Sequence, residues 1–400
     1  MLRFLAFSLV LAAQAIAIAA SAPLIELTST GTAIQGRQLA YNKTVCWLTD
    51  IDGRLIQVPL STVTQFRQID AEFKARPLMD VRKALAAEFG SGFEIAIRGR
   101  YVVAGPRGKA DKFATLFDQT SREFLQYLRV RKFQVVDPDL PLVAVVFPTR
   151  AQFVAQCAKD DVTAGPALRG YYDQESNRVT LYDDPLEGSL AASTSGGPKD
   201  PVTKGPLRSS TTPKQHVDAN SGPMESSEMA RDTAVHEAIH QLAFNTGLHS
   251  RIGGNPLWVV EGLAMQFERG QGGYIKTRTS ERVNTPRLAN FDVYRRERRK
   301  AGALAQMIAS DDVFKNKPLD AYGEAWLLTN YLIETRSQKM GWYLQTLAAR
   351  NPLESYPPEE RLHDFQANFG EDLTWLEIEF LRYAEKVAAE ALSDSDSKKR

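Results

Sequence analysis

Two histidines and a glutamate stand together in the stretch Thr233-Ala-Val-His-Glu-Ala-Ile-His-Gln241. The pattern is His-Glu-x-x-His. On a helix, residues four apart share one face, so His236 and His240 can offer two imidazoles to a single metal ion. Glu237 is rotated by about 100° from His236 and can reach a water on that ion. Two neutral nitrogens that hold a metal, with a carboxylate beside them to take a proton, are the parts of zinc-hydrolase chemistry. The chain has only 5 histidines in 400 residues, so chance rarely produces this spacing.

The elements that must position these residues are legible around them. Ser226 and Ser227 are candidate N-caps before Glu228. No Pro or Gly interrupts Glu228 to Thr246, and Gly247 stands where a left-handed C-cap belongs. A helix is therefore expected over 228–245. A zinc site needs a third protein ligand and an open fourth position. Downstream, Asn255-Pro256 reads as the N-cap and first residue of a second helix running through Glu268. Glu261 falls one turn into it.

The block His236-Glu237-x-x-His240 followed by Trp258-x-x-Glu261-Gly262-x-Ala264 resembles the gluzincin metallopeptidases. Its downstream half is most similar to the aminopeptidase-type version of that pattern. The whole chain is more similar to an uncharacterised bacterial family of secreted, peptidase-like proteins built on the same residues. The likeness of motifs spans about Gly170 to Tyr331. It implies Glu261 as the third ligand of a Zn2+ ion. It also implies a downstream Tyr whose hydroxyl donates to the tetrahedral oxyanion, and Tyr322, followed by Gly323 and an aromatic helix, is the candidate. An edge strand beside the metal would pair with extended substrate, either Gly170–Asp173 or Val179–Tyr182. Two departures stand out. Some gluzincins carry an acidic residue one turn after the third ligand, where this chain has Met265, so another group must orient His236; Glu268 is one candidate. The amine-binding Gly-x-Met-Glu-Asn pattern of the aminopeptidases is absent before the zinc helix, which weakens the exopeptidase reading.

Stepping outward, 400 residues with 43% apolar content allow two or three domains with a sizeable core. A net charge of +1 gives no global field towards nucleic acid or membrane. Residues 1–22 read as a secretory signal, with Arg3, an apolar run from Phe4 to Ala20 and small residues after it. Residues 23–70 read as a small β unit of SH3-like barrel form, with Asp52-Gly53 as a hairpin signal. Residues 71–186 read as the sheet part of a catalytic core. Residues 187–225 are rich in Ser, Thr, Gly, Pro and Lys and read as a disordered loop. Residues 226–392 read as the helical zinc-site part, and 393–400 as a polar tail. The expected class is α+β: the β unit, then a gluzincin-like (thermolysin-like) core with a mixed sheet, a zinc helix and a C-terminal helical subdomain. The basic run Tyr294–Lys300 reads as a solvated helix face, His249 as a loop histidine with substrate contact as the alternative, and His363 as a surface residue. Cys46 and Cys157 are equally compatible with a disulfide and with two lone thiols.

The leading functional expectation is a secreted or envelope-located zinc metallopeptidase acting on a peptide or protein substrate. Glu237 would be its general base, and it would have no nucleic-acid partner and no membrane span in the mature chain. A non-catalytic envelope or matrix interaction protein with a structural zinc, and a hydrolase of a non-protein amide or ester, share the same residues.

Overall fold

The computed structural model describes residues 22–184, 226–268 and 283–397. Residues 1–21 of the expected signal, the whole of the expected 187–225 loop and residues 398–400 of the tail lie outside them. Five strands open the chain: β1 (Leu24–Ser29), β2 (Thr32–Tyr41), β3 (Val45–Thr49), β4 (Leu55–Pro59) and β5 (Val63–Ile69). They form one antiparallel sheet in the order β4-β3-β2-β1-β5. Thr30 and Gly31, both at positive φ, turn the first hairpin, as a two-residue connection between twisted strands requires. The Asp50 carboxylate accepts from the backbone of Asp52 and Arg54 and closes the expected turn at Gly53.

The barrel expected here is not closed. β5, a polar strand that the sequence reading missed, is exposed along most of its length and sits at the edge opposite β4. The interior of this unit is only Ile25, Leu27, Cys46, Leu48 and Val58, too little to fill a closed barrel. The sheet leans on the rest of the protein instead. Leu55 N–H donates to the Glu175 carbonyl at 2.8 Å, and Arg37 pairs with Asp139.

The second sheet joins β6 (Phe93–Arg98), β7 (Tyr101–Pro106), β8 (Leu142–Phe147), β9 (Gly170–Asp173) and β10 (Arg178–Tyr182) in the order β6-β7-β8-β10-β9. The three inner strands are parallel and the two outer ones antiparallel. Every residue of β8 is buried, as a continuous apolar run in a strand covered on both faces should be. Alternate residues divide between the faces. Val102, Ala104, Val143 and Val145 meet α1 (Leu78–Phe89) and α3 (Arg150–Lys159). Tyr101, Val103, Ala144 and Val146 lie in the core shared with α2 (Ala110–Val130) and α4 (Ser226–Asn245). Cys46 and Cys157 are buried in separate clusters and unpaired, which settles the cysteines as two lone thiols.

The remainder is helical among the described residues: α5 (Leu257–Met265), α6 (Thr285–Glu297), α7 (Ala303–Ala309), α8 (Asp312–Asn316), α9 (Pro318–Ala349), α10 (Pro358–Phe369) and α11 (Leu373–Ser397). α11 thus continues past the point where a polar tail was expected. α5 ends three residues short of Glu268, which lies in the turn that follows. None of the described helices is long and apolar enough to cross a membrane. The basic run is not simply solvated: Arg299 is buried and bonded to Glu324 and Glu377 at 2.7 Å each, while Arg298 pairs with Asp320.

All nine residues of α5 are buried, as in a helix surrounded by protein. α9 crosses it at Gly262, where an added Cβ would lie 2.1 Å from Thr329 Oγ1 and 2.6 Å from the Ala325 carbonyl. Backbone at that distance cannot yield, so Gly262→Ala should cost about 1–3 kcal/mol despite the better helix propensity of alanine. Thermal unfolding of the variant checks this. Gly165→Ala, where the new methyl meets nothing within 4 Å, should stay within about 0.5 kcal/mol of the parent.

Candidate metal centre

α4 carries His236 and His240 against Glu261 of α5, and it is clamped to the sheet through other side chains. The Gln241 amide donates to the carbonyls of Val143 and Asn177 at 3.1 and 2.7 Å. Asn245 and Asn177 exchange side-chain hydrogen bonds at 2.8 and 3.1 Å. Gly170 in β9 lets the helix approach, since a Cβ there would meet Thr233 at 2.6 Å. The helix closes as expected, with Gly247 at φ +83. α5 is aimed from its start: Asp311, held by both arms of Arg361, accepts from Leu257 N–H at 3.0 Å. That satisfies one of the free donors of the helix N-terminus.

These two helices bring His236, His240 and Glu261 together. Their ligand atoms all lie within 4.8 Å of one another, and all three residues are buried. His236 Nε2 and His240 Nε2 are 2.9 Å apart, and Glu261 Oε2 is 3.4 and 3.6 Å from them. Zinc bonds of about 2.0–2.1 Å in a tetrahedral array set ligand atoms about 3.3–3.4 Å apart. The three separations straddle that value, so the set could hold a small divalent ion.

The group that orients His236 is Glu268. His236 Nδ1 lies 2.8 Å from Glu268 Oε1, which fixes Nδ1 as the donor and leaves Nε2 to face the other ligands. Glu268 is itself held by Asn284 at 2.8 Å and by Arg287 at 3.3 and 3.4 Å. Neither Asn284 nor Arg287 was anticipated. No fixed spacing links them to the motif, and the only sequence signal was an Asn-Thr-Pro helix start that would place them near one another. Tyr322, in the first turns of α9, is buried with its ring edge-on to Phe314 at 5.4 Å and beneath the Arg287 guanidinium at 5.6 Å. It therefore meets the residue that holds Glu268. Glu237 is 1% exposed, and its Oε1 has no hydrogen-bond partner among the described residues. His249 lies in the loop after α4, as expected, and is buried there; His363 is exposed, as expected.

Burial opposes a charged His236, but its hydrogen bonds to Glu261 and Glu268 outweigh this and hold the imidazolium well above the ordinary range. Burial likewise disfavours the Glu261 carboxylate, and the facing His240 and His236 hold it well below the ordinary range. In the metal-free protein a proton on His236 therefore ties the ligands together, and a metal must displace it.

Residues 231–354 match a family described as a protein of unknown function (DUF1570). The matched segment contains all three ligand residues, Glu237, Glu268, Arg287 and Tyr322. No curated protein matches the chain.

Two measurements follow from this geometry. Zinc uptake near neutral pH should release about one proton, read by calorimetry in two buffers of different ionisation heat. Below the raised pKa of His236, zinc affinity should climb about ten-fold per pH unit as the competing proton is lost. Glu268→Gln should weaken zinc binding about 10–100-fold, measured by competition with a chelator.

Proposed function

We propose that the protein is a zinc-dependent peptidase with a gluzincin-like centre: His236, His240 and Glu261 hold the ion, and Glu237 is the general base. The observation that carries this reading is the combination of a three-ligand set with an unpartnered, buried carboxylate oxygen on Glu237, the residue next to His236. A structural zinc site closes its fourth position with a protein ligand, whereas among the described residues the set has three. Zinc held by these residues supplies Lewis-acid polarisation of a carbonyl and lowers the pKa of water towards 7.

The chain's own groups do the rest. Glu237 accepts a proton as attack on the peptide carbonyl begins and returns it to the leaving amine. Glu268 keeps the Nδ1 proton of His236 and so keeps Nε2 available. β9 is the outer strand of its sheet among the described residues and lies beside α4, which makes it a better candidate to pair with an extended peptide than β10, which lies inside the sheet. Tyr322 is assigned to the oxyanion from the resemblance, and its contact with Arg287 ties it to the same network. The apolar run in residues 1–22 directs the chain to the secretory route and places its substrate outside the cytoplasm.

The test compares the base with the ligands. Glu237→Gln should keep about one zinc per chain and lose about 10²–10⁴-fold in turnover of an unbiased peptide library. His240→Ala should lose the metal. Tyr322→Phe should fall about 10²–10³-fold. A zinc-loaded wild type that cleaves no peptide would overturn the enzymatic reading and favour a zinc-bearing interaction protein.

A further inference from the structure

We propose that His249 is a ligand-binding residue of the metal centre, whose neutral imidazole hydrogen-bonds a main-chain amide of a peptide bound beside His236, His240 and Glu261. The proposal rests on the reading of that centre as a metallopeptidase site and adds a residue to it.

The position of His249 follows from how α4 ends. Gly247 turns the chain, and the backbone N–H groups of Leu248 and His249 both return to the Ala243 carbonyl, at 3.2 and 3.1 Å. This folds His249 back against the last helical turn, where its ring meets Phe244 edge-on at 5.2 Å. Phe244 lies four residues after His240 and eight after His236, so all three share one helix face. His249 extends that row by one more place.

The imidazole is unsatisfied there. His249 is 4% exposed, and neither Nδ1 nor Nε2 has a hydrogen-bond partner of good geometry among the described residues, the backbone of Leu248 being a polar neighbour that approaches without one. A neutral imidazole carries one donor and one acceptor, and leaving both unmet inside a protein costs stability. Burial, and next the charge of His240, hold the ring's pKa down to about 3, so it is neutral at physiological pH.

The neighbours indicate what completes it. Phe244 is also stacked on Tyr172 at 5.6 Å, and Tyr172 belongs to β9, the outer strand of the sheet. The row from His240 to His249 therefore runs beside the strand whose edge an extended peptide would extend. A peptide main chain offers both the acceptor and the donor that one imidazole requires.

The experiment uses the full-length protein loaded with Co2+, whose visible bands report ligand binding. Two probes are titrated: N-acetyl-leucyl-glycine hydroxamate, which carries peptide amides behind its metal-binding group, and acetohydroxamate, which does not. His249→Phe keeps a ring against Phe244 and removes both nitrogens; His249→Leu takes its place if the aromatic variant does not fold. The expected result is unchanged cobalt binding, unchanged acetohydroxamate affinity, about ten-fold weaker binding of the peptide hydroxamate and a thermal midpoint that is not lowered. His249→Asn, which restores a donor and an acceptor, should recover part of the loss. Equal affinity of wild type and variant for the peptide hydroxamate would overturn the proposal. So would equal loss of both probes with a lowered thermal midpoint, which marks a structural residue, or a wild type that binds the peptide hydroxamate no better than acetohydroxamate. A wild type that takes up no cobalt would overturn the metal reading itself, and this inference with it.

Discussion

Carboxylates inside an apolar core require counter-charge, and the centre is built around that requirement. Glu237, Glu261 and Glu268 are each less than a tenth exposed. They lie among Ala234, Ala238, Leu263 and Ala264, which are wholly buried. Among the described residues, the Arg287 guanidinium and the imidazoles of His236 and His240 stand against these carboxylates. Isolated buried charge is too costly to persist. In the metal-free protein the deficit is met in part by the proton held on His236. A divalent cation would offset more of it, so the residues that make this part of the core polar are also a set that could hold a metal ion.

The second constraint is distance. Ligands on two helices meet within bonding range of one ion only if the helices and their supports pack closely, and glycines set that closeness. Gly170 admits α4 to the edge of the sheet, and Gly262 admits α9 to α5. In the pair Glu261-Gly262 one residue joins His236 and His240 and the next faces the helix that holds it in place. The motif is therefore half chemistry and half packing. Replacing the packing half would shift the carboxylate as surely as replacing the carboxylate itself would remove it.

These two constraints explain what could be read from the chain. His236, His240 and Glu237 were legible because a helix converts a four-residue spacing into a shared face. The buried run of β8 and the apolar helices declared themselves by composition and period. The partners of Glu268 did not, because Asn284 and Arg287 reach it from another helix, and no local periodicity encodes a contact made across a fold. β5 escaped because its residues are polar on both faces, which is the pattern of a loop as much as of an exposed edge strand. The barrel expectation failed with it, since short strands and hairpin turns specify pairing but not closure. The loop position of His249 was legible, but its burial was not, because the turn at Gly247 that sends it back against the helix is a contact no local pattern encodes.

The small N-terminal sheet also has a place in this geometry. It touches the core at the turn between β9 and β10: Leu55 donates to Glu175, and Gly53 sits against the Asn177 side chain, where an added Cβ would be 3.0 Å from the amide nitrogen. Asn177 is the residue that grips Gln241 and Asn245 on α4. It holds a left-handed backbone, at φ 60, a conformation that asparagine tolerates better than most residues. One turn thus receives the N-terminal unit on one side and fixes the zinc helix on the other. With α4 held there at its C-terminal half and the glycine contact at Thr233 further up, His236 and His240 are carried by a helix that is restrained at both ends of the stretch between them. The N-terminal sheet is in this sense part of the support of the centre, although none of its residues reaches the ligands.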